Sequence, residues 1–177
     1  MRRERLIGIA TDGHPTLLAV LVRIVERPHH TVVVDRPLVP AHQVGQADAE
    51  GITQALSEST ALLPAYTPPQ HFSWRGRSYR FAKMVDVRPR TTIDTVPNQF
   101  LCYLMRRYRR ALRDLAPGPD IDRIVARIDG VLGAFQGIGH LQTLALGHPV
   151  LQHDPLYRRV LHAHLQLSRV LAMQGEV

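Results

Sequence analysis

Cysteine and lysine are nearly absent from this chain of 177 residues, which contains one of each, Cys102 and Lys83. A lone cysteine excludes a disulfide framework within the chain and is typical of a reducing compartment. Cys102 lies beside apolar neighbours in a predicted helix. We therefore interpret it as a small packed thiol and not as a nucleophile.

Long hydrophobic runs are also missing. The longest, Leu17 to Val25, is interrupted by Arg23 and is shorter than the roughly 18 to 20 residues that a membrane span needs. The basic start of the chain, residues 1–5, is not followed by the apolar stretch and small-residue cleavage site of a secretion signal. We expect a cytoplasmic protein that does not contact a membrane.

Motifs for phosphate binding, nucleophilic catalysis and nuclease chemistry are missing as well. The sequence has no GxxxxGK[ST], GxGxxG or GxSxG element, and residues 137–139 (GIG) are interpreted as a helix stop. A restriction-type nuclease needs a D/E-x-K element, but Phe81 stands two positions before Lys83. Asp86 and Asp94 do not complete that set. We therefore expect no catalytic residues and no enzymatic activity.

Histidine is frequent, with ten residues, but its spacing does not indicate a metal site. His162 and His164 are two positions apart on a predicted helix, so their side chains point to different sides, whereas zinc-binding helices use an i, i+4 pair. His29 and His30 are adjacent and follow Pro28. We expect neither a metal ion nor another cofactor.

Arginine makes up 21 of the 22 basic residues, and the net charge is +7. Arginine binds carboxylates and phosphates through two parallel hydrogen bonds, so an acidic protein or a nucleic acid is a suitable partner. A GC-rich coding sequence would raise the arginine content equally. Composition alone does not decide between these interpretations.

The predicted fold class is α+β, with a small mixed α/β region over residues 1–92 and a three-helix bundle over residues 93–177, as two parts of one continuous domain. Both faces of Thr16–Glu26 are apolar, so it is either a buried helix or a long strand. The other elements expected in the first region are a strand at Leu6–Ala10, a strand at Thr31–Asp35, a helix at Asp48–Ser57, a loop marked by Pro64, Pro68 and Pro69, and a hairpin at His71–Val87 with its turn at Arg75-Gly76.

Three amphipathic segments predict the helical bundle. Apolar residues recur at i, i+3, i+4 and i+7 intervals from Asn98 to Leu115 and again from Ile121 to Phe135. The third helix begins at Asp154 as N-cap, with Pro155 at its first position, and continues toward Met173. Helices of this kind can bury one another's apolar stripes.

Two arginine clusters are the candidate binding surfaces. The first lies opposite the apolar stripe of the first long helix; the second lies on and after the hairpin. The first cluster can be a solvated helix face, but like charges at i, i+3 and i, i+4 on a helix repel by a few tenths of a kcal/mol per pair, which a partner would relieve. The first contains Arg106, Arg107, Arg109, Arg110 and Arg113, and the second contains Arg75, Arg77, Arg80, Arg88 and Arg90.

Aromatic residues interleave with the second cluster. Trp74, Tyr79 and Phe81 alternate with its arginines, a pattern found in proteins that bind single-stranded nucleic acid. The same residues can form the hydrophobic face of the hairpin, and we favour this second interpretation.

Two segments carry a resemblance to a known family. Residues 94–101 read DTVPNQFL, and further along residues 149–152 (PVLQ) precede residues 157–161 (YRRVL). These segments resemble the signatures "D/E-T-x-E-N-R-F-V" and "S-x-V-L-Q-R-x-x-G-Y-R-x-v-l" of a domain of unknown function that precedes the nuclease in McrC-like and LlaJI-associated restriction proteins. The similarity covers most of residues 20 to 173. The residues that match are Asp94, Asn98, Phe100, Gln152, Tyr157 and Arg158.

The chain departs from the pattern at Pro97, where the family has glutamate, at Gln99, where it has arginine, and at residues 153–156. If the glutamate and arginine form a polar clasp in the family, it is lacking here. We expect Asn98 to cap the first long helix, and Tyr157 and Arg158 to hold the third helix against it.

The resemblance implies a role and not a reaction. McrC-like proteins dock onto a ring of AAA+ NTPase subunits and couple it to DNA cleavage. A domain of this kind would be a non-catalytic adaptor with an AAA+ NTPase partner, and a separate nuclease subunit is a further candidate partner. The chain would be a stand-alone relative, a split gene product or an excised fragment. The alternative is an arginine-rich module that binds DNA or RNA directly.

Overall fold

The structure, a computed structural model, describes residues 1–64 and 72–173. It has a mixed α/β fold with small antiparallel sheets, a hairpin and helices in the C-terminal part, which confirms the predicted fold class. The chain divides into two compact units. The helical unit comprises Met1–Thr31 and Ile93–Val177, and the strand unit comprises Val32–Thr92. The strand unit ends at Thr92, and residues 1–31 group with the later helices.

The helical unit contains six of the seven α-helices found in the described ranges. Numbered along the whole chain, they are α1 (Arg2–Thr11), α2 (Leu17–Glu26), α4 (Val96–Arg113), α5 (Pro119–Ala134), α6 (Pro149–His153) and α7 (Pro155–Ala172). None of the helices in the part of the chain that the structure describes is long and apolar enough to cross a membrane.

The start of α7 confirms the N-cap predicted at Asp154. Its Oδ1 accepts hydrogen bonds from the backbone N–H groups of Leu156, at 2.8 Å, and Tyr157, at 3.1 Å. These N–H groups have no partner inside the helix, and Pro155 at the first position lacks an N–H altogether. The sequence therefore fixes where this helix begins.

The strand predicted at Leu6–Ala10 is wrong, because this segment lies inside α1. Leu6, Ile9 and Ala10 are buried at i, i+3 and i+4 positions, which is helical spacing. A run of five residues was too short to separate the two periods, and the polar first turn, residues 2–5, hid the length of the helix. The second ambiguous segment is also resolved as a helix, α2, whose N-cap Thr16 accepts a hydrogen bond from Ala19 N–H at 3.3 Å.

The hydrophobic core of the helical unit is formed by all of its long helices. Tyr108 of α4 is buried, and its hydroxyl donates a hydrogen bond to the carbonyl oxygen of Leu6 in α1. Burial raises the pKa of this phenol, because the charged form would be desolvated. The most deeply buried side chains of this core include Leu6, Leu17, Leu21, Ile24, Phe100, Leu104, Tyr108, Leu112, Ile124 and Ile128.

The strand unit contains α3 (Ala49–Ser57) and short strands in three antiparallel sheets. Asp48 caps α3 by accepting a hydrogen bond from Gly51 N–H at 2.8 Å. The predicted strand at Thr31–Asp35 is confirmed. The pairs are β1 (Thr31–Asp35) with β7 (Arg88–Thr92), β2 (Leu38–Pro40) with β6 (Lys83–Val85), and β5 (Arg77–Phe81) between β3 (Leu62–Pro64) and β4 (Phe72–Trp74).

The predicted hairpin is confirmed for its described residues. β4 pairs with β5 in the register Phe72 with Tyr79 and Trp74 with Arg77. The two residues between them, Arg75 and Gly76, both have positive φ, 49° and 73°, as a tight two-residue hairpin turn requires. Pro64 ends β3. Pro68, Pro69 and His71, which we had placed in a loop and at the start of the hairpin, lie outside the described residues.

Asp86 organises the loop before α3. Its Oδ1 accepts hydrogen bonds from the N–H groups of Gly45 and Gln46, both at 3.0 Å, and its Oδ2 accepts one from Arg88 Nε at 2.5 Å. These bonds, that from Gln46 first and that from Arg88 next, lower the pKa of the Asp86 carboxyl. The carboxylate therefore has a structural role in the strand unit.

Replacing Asp86 with asparagine is expected to destabilise the strand unit in a pH-dependent way. Because the folded state lowers the pKa of Asp86, its contribution is fully present above the ordinary value of 3.8 and is lost as pH falls through the lowered pKa. Urea unfolding, followed through the chain's single tryptophan, Trp74, measures this. The difference in unfolding free energy between the wild type and Asp86→Asn should shrink as the solution is acidified. A difference that is constant with pH would contradict this role.

Candidate partner-binding surface

The first predicted arginine cluster lines an open groove on the helical unit. The groove has a volume of about 820 Å³ and contains all five arginines of α4. Its other lining residues are Tyr103, Asp114, His140 and Leu141. The arginines lie on one side of α4 because the opposite side carries the apolar stripe that packs into the core.

Three of the five arginines are held by neighbouring helices. Arg109 donates a hydrogen bond to Asp129 of α5 at 2.7 Å, and Arg113 lies 3.5 Å from the second oxygen of the same carboxylate. Arg107 donates to the hydroxyl of Ser168 in α7 at 2.9 Å. The sequence did not show that Asp129 would relieve part of the repulsion, because that residue is distant from α4 in the chain.

Arg106 and Arg110 remain available to a partner. Both side chains are exposed, and they lie one helical turn apart. Arg106 has Nη1 3.3 Å from Nδ1 of His140. Arg110 has no carboxylate or other polar partner among the residues described by the structure. The groove keeps a net positive charge even when Asp114 and Asp129 are counted.

The second predicted cluster lies on the strand unit, and its members have different environments. All five arginines are exposed. Arg88 pairs with Asp86, and Arg90 pairs with Asp35 at 3.1 Å, so their charges are partly neutralised. Arg77 and Arg80 have no acidic partner within the described ranges. Fewer arginines of this cluster are therefore free to bind an anionic partner than the sequence suggested.

Phe72, Tyr79 and Phe81 of the hairpin strands pack on one another. Phe72 stacks on Phe81 at 4.6 Å between ring centroids and contacts Tyr79 at 6.4 Å. Tyr79 and Phe81 are half-buried. This arrangement agrees with the hydrophobic-face interpretation of these aromatic residues.

The motif residues Asn98 and Tyr157 meet in a buried network. Asn98 is completely buried; its Nδ2 donates hydrogen bonds to the carbonyl oxygens of His29 and Ile93, each at 2.7 Å. The Tyr157 hydroxyl donates to Asn98 Oδ1 and accepts from His29 N–H at 2.9 Å. Burial raises the pKa of Tyr157 to about 12. The network joins the end of α2, the start of α4 and α7, so Tyr157 holds α7 against α4 as expected.

The prediction that Asn98 caps α4 is wrong. The helix begins at Val96 with Thr95 as N-cap, so Asn98 lies inside the first turn and points inward. Pro97 suits this first turn because it needs no N–H partner there. Thr95 instead lies 3.1 Å from His29 Nδ1. Burial, together with the nearby His148 and His30, lowers the pKa of His29.

The remaining motif residues lie apart from that network. Asp94 accepts hydrogen bonds from Gln99 Nε2 at 2.9 Å and from Gly139 N–H at 3.0 Å. Gln152 is exposed and donates to the carbonyl of Leu146 at 2.7 Å. Arg158 is also exposed, so its expected part in holding α7 is not seen. The neighbouring Arg159 instead donates hydrogen bonds to the carbonyl oxygens of Ile9 and Asp12 at the end of α1.

Phe100 and Cys102 are buried parts of the helix packing. Phe100 contacts the ring of His164 edge-on at 5.3 Å. His164 is 4% exposed, and burial lowers its pKa, with a further lowering from Arg107. Cys102 is 1% exposed and its pKa is raised by burial, which agrees with a packed thiol. In the two described ranges, no group of three or more His, Cys, Asp or Glu residues is placed to hold a metal ion.

Sequence reasoning missed a second basic groove, between α1 and α7. Its lining includes Arg5, Arg159 and Arg169, and its volume is about 570 Å³. The lining residues of α7 recur at helical spacing, residues 159, 162, 166 and 169, which was a usable signal. It was overlooked because residues 6–10 were expected to be a strand, so Arg5 had no helix face to occupy.

These observations define the protein as a two-unit α/β protein whose helical unit carries an arginine-lined groove beside a buried polar network. Residues 6–164 match the family model described as Domain of unknown function (DUF2357), and the chain belongs to this family. No curated protein and no solved structure matches the chain.

Proposed function

We propose that this chain is a non-catalytic accessory domain of a restriction or phage-defence type system, and that it docks onto an AAA+ NTPase subunit. The docking surface is the groove on α4, and the partner contributes carboxylates. In this proposal the domain couples the NTPase to DNA processing. The resemblance of residues 94–101, 149–152 and 157–161 to the domain that precedes the nuclease in McrC-like proteins supports this assignment.

The observation that carries the proposal is that the groove combines charged and apolar side chains. Arg106 and Arg110 are exposed beside the half-buried side chains of Tyr103 and Leu141. Tyrosine and arginine are enriched at protein interfaces, where they contribute most of the binding energy. A surface that offers both apolar contact and charge fits an acidic protein surface better than it fits a phosphate backbone alone.

A pull-down from the native host, after nuclease treatment, tests the proposal. The wild-type chain should recover an AAA+ NTPase that mass spectrometry identifies. A double variant, Arg106→Glu with Arg110→Glu, should lose it. Recovery of the same NTPase by both proteins would exclude the α4 groove as the docking surface. Failure of the wild type to recover any NTPase would overturn the adaptor function itself.

A direct nucleic-acid-binding module is the second candidate. It is favoured by Arg77 and Arg80, which are exposed on the hairpin without an acidic partner in the described part of the chain. Binding through phosphates releases counterions, so affinity would fall steeply with salt concentration. Two phosphate contacts predict binding to duplex or single-stranded DNA that weakens about tenfold between 50 and 200 mM salt, and such a loss would support this candidate.

A further inference from the structure

We propose that the groove between α1 and α7 is a binding site for a nucleoside phosphate. Its volume of about 570 Å³ lies within the roughly 300 to 1000 Å³ of small-molecule sites. The site lies entirely in the helical unit and shares no lining residue with the α4 groove. It is therefore independent of the proposed docking function.

The phosphate would be held by three arginines from two helices. Arg5 comes from α1, and Arg159 and Arg169 come from α7. Within the described ranges, none of the three forms a salt bridge with a carboxylate. Arg5 Nη1 lies 3.0 Å from the sulfur of Met173, which is a weak acceptor and does not neutralise the charge. Three uncompensated guanidinium groups in one concave site favour a multiply charged anion.

Arg159 is oriented before any ligand binds. Its Nη2 donates hydrogen bonds to the carbonyl oxygens of Ile9 at 3.3 Å and Asp12 at 2.9 Å, at the end of α1. The chain then turns at Gly13, whose φ of +87° favours glycine and brings the loop against Arg159. The N–H groups on Nη1 and Nε of Arg159 have no partner in the part of the chain described, so they are left for a ligand.

Asp12 is the acidic residue of the lining and opposes an anion. Its carboxylate lies back over Gly8, where a side chain would meet Oδ2 at 2.6 Å, and its Oδ1 accepts from the Thr11 hydroxyl at 3.3 Å. Three arginines outweigh this single charge. The groove therefore remains positive.

The other lining residues of the groove indicate what the rest of the ligand is, beyond its phosphate. Ile9, Pro15 and Val170 give the groove an apolar side, and Gln166 and the imidazoles of His14 and His162 add polar groups at its edge. A purine base offers both an apolar ring face and hydrogen-bonding edges. The groove is short, because Arg159 and Arg169 are ten residues apart on α7, or about 15 Å along its axis, whereas a single nucleic-acid strand needs cations spread along several nucleotides.

Isothermal titration calorimetry with ADP, inorganic pyrophosphate and adenosine tests the site in the full chain. ADP should bind with a Kd of about 100 μM or tighter, and adenosine should bind at least about tenfold more weakly. Pyrophosphate should bind more weakly than ADP, because it lacks the base. Absence of ADP binding, or equal binding of ADP and adenosine, would overturn the proposal.

A charge-matched pair of variants locates the site. Arg5→Gln with Arg169→Gln should weaken ADP binding at least about tenfold. Arg23→Gln with Arg123→Gln, which removes two exposed arginines outside this groove, should leave the Kd unchanged within about twofold. Equal loss in both pairs would show nonspecific charge attraction and refute the site. Groove-dependent binding of a 5′-phosphorylated oligonucleotide without binding of ADP would refute a free nucleotide as the ligand.

Discussion

Replacing Asn98 with alanine is expected to lower the free energy of unfolding by about 3 kcal/mol. The side chain is completely buried and makes three hydrogen bonds. Alanine leaves the carbonyl oxygen of His29 without its side-chain donor and the hydroxyl of Tyr157 without its acceptor, whereas the carbonyl oxygen of Ile93 keeps the hydrogen bond from Thr95 N–H at 2.9 Å. A buried group left unpaired costs more than the net gain of a hydrogen bond, because it has lost its water as well.

Urea denaturation at neutral pH measures this loss, with two companion variants. Tyr157→Phe removes the hydroxyl that donates to Asn98 and accepts from His29 N–H, and it should cost about 1 to 2 kcal/mol. Gln152→Ala removes an exposed amide that makes a single hydrogen bond, and should cost less than about 1 kcal/mol. If Asn98→Ala were no more destabilising than Gln152→Ala, the buried network would not be what joins α2, α4 and α7.

The double charge reversal of Arg106 and Arg110 is expected to weaken binding to the AAA+ partner by at least about 100-fold, or about 2.8 kcal/mol. Each change replaces a favourable contact with an acidic partner by repulsion, and the two positions face the same groove. Both side chains are exposed, so the fold should not be affected.

A matched control is available on α5. Arg123 and Arg127 are also exposed, also four residues apart, and their reversal changes the net charge by the same amount. Arg123→Glu with Arg127→Glu should change the affinity by no more than about threefold at physiological salt. Binding measured by surface plasmon resonance distinguishes the pairs. Equal losses in both would mean that the partner responds to the overall charge and not to the α4 groove.

The sequence correctly predicted those features that depend on residues close together in the chain, such as a helix start, a hairpin turn and the two faces of a helix. Asp154 and Pro155 fix the start of α7, and the positive φ values at Arg75-Gly76 fix the hairpin turn. The periodicity of α4 placed its arginines opposite the core, where the structure has them. In each case the residues that decide the structure are neighbours in sequence.

The features that the sequence did not predict depend on contacts between residues that are distant in the chain. Asp129 of α5 pairs with Arg109 and Arg113, and the sequence of α4 gives no indication that this carboxylate lies beside its arginines. Asparagine is a residue type that often caps helices, which is why Asn98 was predicted as a cap. In the structure it is buried instead, because it forms hydrogen bonds with His29 and Tyr157, which are distant in sequence. The α1/α7 groove required both helices to be known.

The rate of NTP hydrolysis by the purified AAA+ partner, measured with and without this chain, tests the central claim most directly. The proposed coupling role predicts that the wild-type chain stimulates hydrolysis and that the Arg106→Glu, Arg110→Glu variant does not, while the α5 control pair stimulates as the wild type does. An NTPase rate that is unchanged by the wild-type chain, or is raised equally by the groove variant, would contradict it.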